Sequence, residues 1–351
     1  MKLEEQLRDT IRMQGLSEKT FEAYWHWIRE FVLFARAKRG QWVHPSELRE
    51  RQVEIWLKHL ANDLDVSANT QNQAFSALCY LYRHIIKQPL EGVSAMRAKR
   101  PDRIRDVLDQ SEIVELFDQL KGKALLAARL MYASSFRIGE IGQIRIKDLS
   151  FERKQIVIRG GKGAKDRAVG FPTVVHDAVR AQVDSMRVLW RADVAEGRNG
   201  VSLPNRFGVK SPSSHREFAW YYLFSADHES KCPHTGRLFR HHQDMGHVAR
   251  QIKNAASRCG FAKRVTSHCL RHSFATHSLE NNVPIHVVQK LMGHTSIETT
   301  EGYLHVTKDG ATSAKSPLES LLASPGSVRA ESQEVAKPVA LPVAGLRLFV
   351  G

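Results

Sequence analysis

Apolar residues in the first hundred positions return every three or four places, in Phe21, Tyr24, Trp25, Ile28, Phe31 and Val32, and again in Val53, Trp56, Leu57 and Leu60. That spacing lines one face of an α-helix. Ser17, Ser46 and Ser67 each stand just ahead of such a run. There a hydroxyl can accept a bond from a first-turn N–H, so all three are expected helix starts. The last helix is expected to reach about Lys87, with Phe75, Leu78, Leu81, Tyr82 and Ile85 facing inward. Residues 1–98 therefore predict a bundle of about four helices.

A different rhythm follows. Asp109-Gln-Ser-Glu112 has the form of a capping box ahead of an apolar-periodic stretch over 113–120, and a further helix is expected over 124–134. Residues 155–159 and 167–171 alternate as strands on either side of the glycine-rich turn 160–165. From 192 to 230 the pattern is irregular, broken by Pro204 and Pro212, until the aromatic cluster Glu217-Phe-Ala-Trp-Tyr-Tyr-Leu-Phe224. Helical spacing returns over 248–259 and 271–281, and Ser316-Pro317 opens another helix with Leu318, Leu321 and Leu322 apolar. Past Ser324 the composition is rich in Pro, Ala, Ser and Val, as in an unstructured tail. The fold class is α+β, mainly α, divided as 1–98 helical, 99–108 linker, 109–323 second domain with a small antiparallel sheet, and 324–351 tail.

Charge changes the picture next. The 351 residues carry 52 Lys and Arg against 37 Asp and Glu, a net +15, and the pI is about 9.8. A chain so basic expects a polyanion, either nucleic acid or an anionic membrane surface. With 25% charged and 42% hydrophobic residues it is neither wholly disordered nor a membrane protein, and its apolar runs are too short to span a bilayer. The start, Met1-Lys-Leu-Glu-Glu-Gln-Leu-Arg8, lacks the features of a secretory signal, so a cytoplasmic location is expected. Cys79, Cys232, Cys259 and Cys269 lie far apart, which suits thiols better than a disulfide framework. Arg97, Lys99, Arg100, Arg103 and Arg105 crowd the linker around Pro101, as a solvated tether or as a strap for nucleic acid.

Four local groupings can carry chemistry: Arg137-Ile-Gly-Glu140, the turn around Lys162, His268-Cys-Leu-Arg271-His272, and Gly293-His294 with Tyr303 nine positions on. His268 and Arg271 are three apart and share a helix face, near the positive end of the dipole if a helix begins there, a place suited to phosphate. Arg137 supplies a second planar fork, so two guanidinium groups can neutralise the non-bridging oxygens of a phosphodiester. The chain has no carboxylate cluster of the kind that holds two Mg²⁺ ions, and Gly160-Gly-Lys-Gly163 lacks the spacing of a nucleotide-binding phosphate loop. Cleavage without metal needs a protein nucleophile, and the Tyr303 phenol can serve once cations activate it. His268 can move its proton, and Lys162 can protonate a leaving oxygen.

Arg137-Ile-Gly-Glu140, Gly161-Lys162-Gly163, His268-Cys-Leu-Arg271-His-Ser-Phe-Ala-Thr-His277, Leu291-Met-Gly-His294 and Thr299-Thr-Glu-Gly-Tyr303 follow the order and spacing of the tyrosine recombinases. The resemblance extends to about residue 322, with the N-terminal bundle similar to that family's SAM-like core-binding domain. It implies that Tyr303 attacks the scissile phosphate and keeps the 3′ end. Arg137 and Arg271 would clamp the phosphoryl oxygens, with His268 as general acid/base and Lys162 as general acid. His294 would hydrogen-bond the same phosphate, and no cofactor is implied. The 106 positions between Lys162 and His268 resemble the additional segment of integron integrases, here about 192–245, through Leu203-Pro-Asn205, Trp220-Tyr-Tyr-Leu-Phe224, Arg240-His-His242 and Ser316-Pro-Leu-Glu319.

That narrower resemblance implies action on folded single-stranded attC hairpins and on double-stranded attI. The partners would be DNA and three further copies in a tetramer, with a helix at about 316–322 donated to a neighbour, and the location would be nucleoid-associated. Trp220 would stack on an unstacked base and His241 or His242 would bond its edge. The alternative for Trp220 is plain core, beside Phe218, Tyr221 and Phe224. Cys232, His234, His241 and His242 fit no zinc-finger spacing, so no metal is assigned. Cys269 suits a small buried hydrophobe. Family members commonly carry Gly-Leu-Arg-Ile-Ser-Glu where this chain has Ser135-Phe-Arg-Ile-Gly-Glu140, and Gly302 beside the nucleophile is expected to loosen it. Two rivals remain at this stage: a phage or chromosome-dimer-type recombinase acting on duplex sites, and a non-enzymatic DNA-binding protein.

Overall fold

The computed structural model describes residues 2–92, 98, 106–160, 166–204, 207–232, 235–294 and 296–303. Two compact units share the chain, Met1–Arg103 and Ile104–Gly351. Among the described residues no helix is long and apolar enough to cross a membrane. Arg97, Lys99, Arg100, Arg103, Arg105, the loop carrying Lys162, His234, the 316–322 segment and the tail lie outside the described residues.

The first unit is helical, with α1 (Leu3–Met13), α2 (Glu18–Arg39), α3 (Glu50–Asn62) and α4 (Ala68–Tyr80). Ser17 and Ser67 are N-caps, their hydroxyls accepting from the Thr20 and Thr70 amides at 3.2 and 3.3 Å. Ser46 is not one, which corrects the sequence reading. It sits inside a short 3₁₀ turn, Pro45–Glu47, and α3 starts three residues later, where the Arg49 amide donates to Gln52 Oε1 at 3.0 Å. Proline at the first position favours a brief turn, and the buried Tyr82 hydroxyl donates to the carbonyls of Pro45 and Leu48, tying that turn to the bundle. After Tyr80 the helix winds on as a π-turn, Leu81–Ile85, and Lys87 leaves it with φ +62°. Ile28, Phe31, Trp56, Phe75 and Leu78 fill the core.

The second unit opens with α5 (Gln110–Asp118), where the Asp109 amide donates to Glu112 Oε2 at 2.7 Å, as a capping box requires. Helices α6 (Gly122–Ser134) and α7 (Ile138–Gln143) follow. An antiparallel sheet of β1 (Leu149–Ser150), β2 (Gln155–Ile158) and β3 (Arg167–Gly170) pairs Ile156 with Val169, both buried.

The stretch read as irregular is better ordered than its composition suggests. Helix α8 (His176–Ala195), 20 residues long and burying Val179 and Met186 ahead of that stretch, carries its last turn into it. A short α9 (Phe207–Lys210) and a second antiparallel pair, β4 (Ser225–Lys231) with β5 (Leu238–His242), complete it. Strand β4 reads Ser-Ala-Asp-His-Glu-Ser-Lys and has almost no apolar alternation to betray it. The pair is held instead by a buried ion pair: Arg240 Nε donates to Asp193 Oδ2 at 2.6 Å, its Nη1 to the Ala226 carbonyl at 2.7 Å, and Tyr221 donates to the same carboxylate at 2.9 Å.

Helices α10 (Met245–Cys259), α11 (Ser267–Glu280), α12 (Ile285–Met292) and α13 (Glu298–Glu301) close the described chain. Helix α11 begins four residues before the expected position. Its first turns, together with α6, α10 and β2, enclose a core of Leu126, Met131, Phe136, Ile156, Ile252 and Leu270.

Candidate active site

Helix α6 ends on Ser135 at φ +57°, a left-handed conformation that costs an L-residue about 1–2 kcal/mol. Here the serine hydroxyl gains a partner, donating to the Leu291 carbonyl at 3.1 Å. The turn drops Phe136 into the core and leaves Arg137 as the N-cap of α7.

Glu140 is three residues on, so its carboxylate reaches back to the cap. It accepts from the Arg137 amide at 2.8 Å and from Arg137 Nη1 at 2.9 Å. Arg167, from β3, closes on the same carboxylate with both nitrogens, at 2.9 and 2.8 Å. Burial, the largest single influence, pushes the Glu140 pKa up, but the Arg167 fork and the Arg137 bonds outweigh it and hold the group ionised below its ordinary range. Glu140 is thus a part-buried anion between two guanidinium groups.

Arg271 is 3% exposed. Its Nη1 donates to the Ser135 carbonyl and its Nη2 to the Met292 carbonyl, while Nη2 lies 3.3 Å from His294 Nε2. The Met292 carbonyl is free to receive it because α12 ends there, with Gly293 at φ +60° turning the chain away. A Cβ at residue 293 would stand 3.0–3.2 Å from the side chain of Arg167, so a larger residue there would both strain the backbone and crowd that side chain. Burial first, then the like charge of Arg137, lowers the Arg271 pKa to about 10, with Glu140 and Tyr303 acting in the opposite direction. The group remains a cation at neutral pH.

One turn before Arg271, His268 stays accessible at the surface. Partial desolvation, with Arg271 and Arg137 adding to it, pushes its pKa below the ordinary 6.5, so the ring is neutral near pH 7 and able to accept a proton. His294 Nδ1 is hydrogen-bonded to Thr300 Oγ1 at 2.9 Å, and its ring lies parallel to that of Tyr303, centroids 6.2 Å apart. Tyr303 follows α13 and is 1% exposed, its ring packed with Ala275, Val288 and Met292. Its hydroxyl lies 2.8 Å from His272 Nδ1.

The structure therefore gathers Arg137, His268, Arg271, His294 and Tyr303 into one neighbourhood; Lys162 falls outside the described residues. The base-contact candidates lie elsewhere in the same unit. Trp220 is half-buried, its ring 4.7 Å from that of Phe207, with Lys147 Nζ 2.9 Å from its centroid. Arg145 braces this corner, donating to the Trp220 carbonyl at 2.6 Å and to the Tyr222 hydroxyl at 2.8 Å. His241 Nδ1 is 3.1 Å from Ser202 Oγ, while its buried Nε2 has no hydrogen-bond partner among the described residues. His242 lies edge-on to Tyr222, with Nδ1 2.8 Å from the Gln243 carbonyl. Tyr221 and Phe224 are core, and so is Cys269, 4% exposed.

The sequence brought Glu140 and His272 into the groupings without a role for either, and did not single out Arg167 or Lys147. The Arg137-to-Glu140 spacing was a visible signal, since a carboxylate three residues after a helix start caps it. Arg167 carried none, because only the sheet brings it to α7.

Residues 106–309 match the Phage integrase family and residues 3–92 the Phage integrase, N-terminal SAM-like domain. An Integrase/recombinase of Escherichia coli is 37% identical over 322 residues, 92% of this chain and 94% of that protein. Tyrosine recombinase XerA of Thermococcus onnurineus is 28% identical over 311 residues, 86% of this chain and 90% of its own. Among solved structures, XerH site-specific recombinase bound to palindromic difH substrate matches with a TM-score of 0.59 at 17% identity, over 91% of this chain and 85% of that one. The Tn1549 transposon integrase in complex with transposon right end DNA matches with a TM-score of 0.58 at 16% identity, over 90% and 98%. The chain belongs to the phage integrase family, the tyrosine-type site-specific recombinases, with an N-terminal SAM-like domain ahead of the phage integrase domain.

Proposed function

We propose that this recombinase is an integron integrase, which captures and excises gene cassettes by cutting and rejoining DNA through a 3′-phosphotyrosine at Tyr303. The observation that carries the chemistry is the convergence of the Tyr303 phenol, the buried Arg271 and the His294 ring, with Arg137 close enough to depress the Arg271 pKa. Arg137 and Arg271 neutralise the phosphoryl oxygens, His294 bonds the same phosphate, and His268 and Lys162 handle protons. The phosphodiester energy is kept in the phosphotyrosine, so rejoining requires neither ATP nor metal. Arg97, Lys99, Arg100 and Arg103 bind the DNA backbone, with 1–98 as a core-binding domain and 109–323 as a catalytic domain. Four copies act on paired sites, linked through the 316–322 helix.

Hairpin attC substrate is supported by the aromatic corner around Trp220 and by the orphaned Nε2 of His241, which awaits a polar partner such as a base edge. One observation favours the second reading, a recombinase of duplex sites. The Trp220 ring already has Phe207 and Lys147 against it, so stacking on a base requires this corner to rearrange.

Trapping on a nicked single-stranded attC hairpin tests both. Wild type is expected to form a covalent adduct on one folded strand, and Tyr303→Phe to bind without forming it. Adducts with Tyr303→Phe would remove the nucleophile assignment. Equal adducts on both strands, or adducts on duplex alone, would favour the second reading.

A further inference from the structure

We propose that His272 is the proton acceptor of the cleavage step, a role distinct from that of His268 and resting on Tyr303 as the nucleophile. A phenol attacks phosphorus well only as it loses its proton. Tyr303 is 1% exposed and packed among Ala275, Val288 and Met292, so bulk water does not reach its hydroxyl freely. His272 Nδ1 stands 2.8 Å from that oxygen, within the distance proton transfer requires. The other nearby histidine, His294, has Nδ1 engaged with Thr300 and Nε2 with Arg271. His268 lies on the open side, its ring 6.5 Å from that of His272, where it can serve the DNA oxygen instead.

The two histidines are four residues apart on α11, one turn of the helix, so a single helix presents one imidazole to the nucleophile and another to the leaving group. As the Tyr303 Oη–P bond forms and the P–O5′ bond breaks, the phenolic proton passes to His272 Nδ1 and the departing 5′ oxygen takes a proton from Lys162, the general acid of the function proposed above. In rejoining, the 5′ hydroxyl returns its proton to Lys162 as it attacks phosphorus, the P–Oη bond breaks, and His272 returns its proton to the phenolate.

The test is single-turnover adduct formation on a nicked hairpin, with the ordinary phosphate and with a 5′-bridging phosphorothiolate, whose thiolate departs without a proton. In His272→Asn the amide lies near the Nδ1 position and can hold the hydroxyl but takes no proton. Its rate is expected to fall about 10²- to 10⁴-fold at neutral pH, to recover as rising pH ionises the phenol without a base, and to gain nothing from the sulfur leaving group. Lys162→Gln is the contrast, gaining from sulfur.

Wild-type rates in His272→Asn, a loss independent of pH, or rescue by phosphorothiolate would each overturn the proposal. DNA affinity and melting temperature verify folding, and His272→Gln replaces the asparagine variant should that one unfold. If wild type forms an adduct that Tyr303→Phe lacks while His272 variants are unimpaired, only His272 loses its role. If wild type forms none at Tyr303, the nucleophile assignment falls and His272 with it.

Discussion

Replacing Arg167 by methionine removes the two bonds, 2.9 and 2.8 Å, that secure Glu140 from β3, while keeping most of the side-chain volume. The two side chains are 14% and 10% exposed, so solvent does little to replace the lost partner. Breaking a buried ion pair from one side costs about 3 to 5 kcal/mol. Arg137 still holds Glu140 on its other flank, which puts the expected loss at the lower end, about 3 kcal/mol, a large part of the about 5 to 15 kcal/mol that holds a domain together. Glu140→Gln and the double variant complete a cycle, with an expected coupling of about 2 kcal/mol, since neighbours in one ion network are not additive.

Acidity supplies a second readout. The folded pKa of Glu140 lies below the ordinary 4.5. The unfolded chain therefore binds more protons as pH falls through 4.5, and stability fully present above that pH is lost toward the folded pKa. Without the Arg167 fork, burial remains and pushes the carboxyl up, so this acid-side loss flattens or changes sign. Urea unfolding, with hydrogen exchange of the β2 and β3 amides reporting the second unit alone, measures both quantities. A coupling below about 0.5 kcal/mol, or an unchanged acid slope, would refute the account of Glu140 as an anion fixed by Arg167.

Two further outcomes follow from the same packing. Ser135→Ala keeps the left-handed backbone and loses the bond to Leu291, so it is expected to cost about 1 kcal/mol, whereas Ser135→Gly trades that bond for relief of strain and lands near wild type in a thermal melt. Asp193→Asn leaves Arg240, 2% exposed at its side chain, without its counter-charge, and is expected to destabilise the β4–β5 pair by about 3 kcal/mol, read as faster exchange of those strand amides with β2–β3 unaffected.

What the sequence by itself determined was whatever depends on neighbours a few residues away. Ser17 and Ser67 capped helices because the N–H they satisfy is three positions on, and Arg137 met Glu140 for the same reason. His268 and Arg271 shared a face because a helix turns once in about four residues. Ser46 escaped this logic: Pro45 beside it and Tyr82 far along the chain made a turn there instead. Strand β4 was illegible because its order comes from pairing and from Arg240 on Asp193, contacts that leave no period in a polar segment. Only the tertiary structure decided that Arg167 grips Glu140, that Gly293 must be small to admit Arg167, that Arg271 holds the ends of α6 and α12, and that the Tyr303 hydroxyl meets His272. Those contacts join residues separated by 21 to 136 positions, with the shortest of them crossing a helix end, and no local rule of spacing reaches across such intervals.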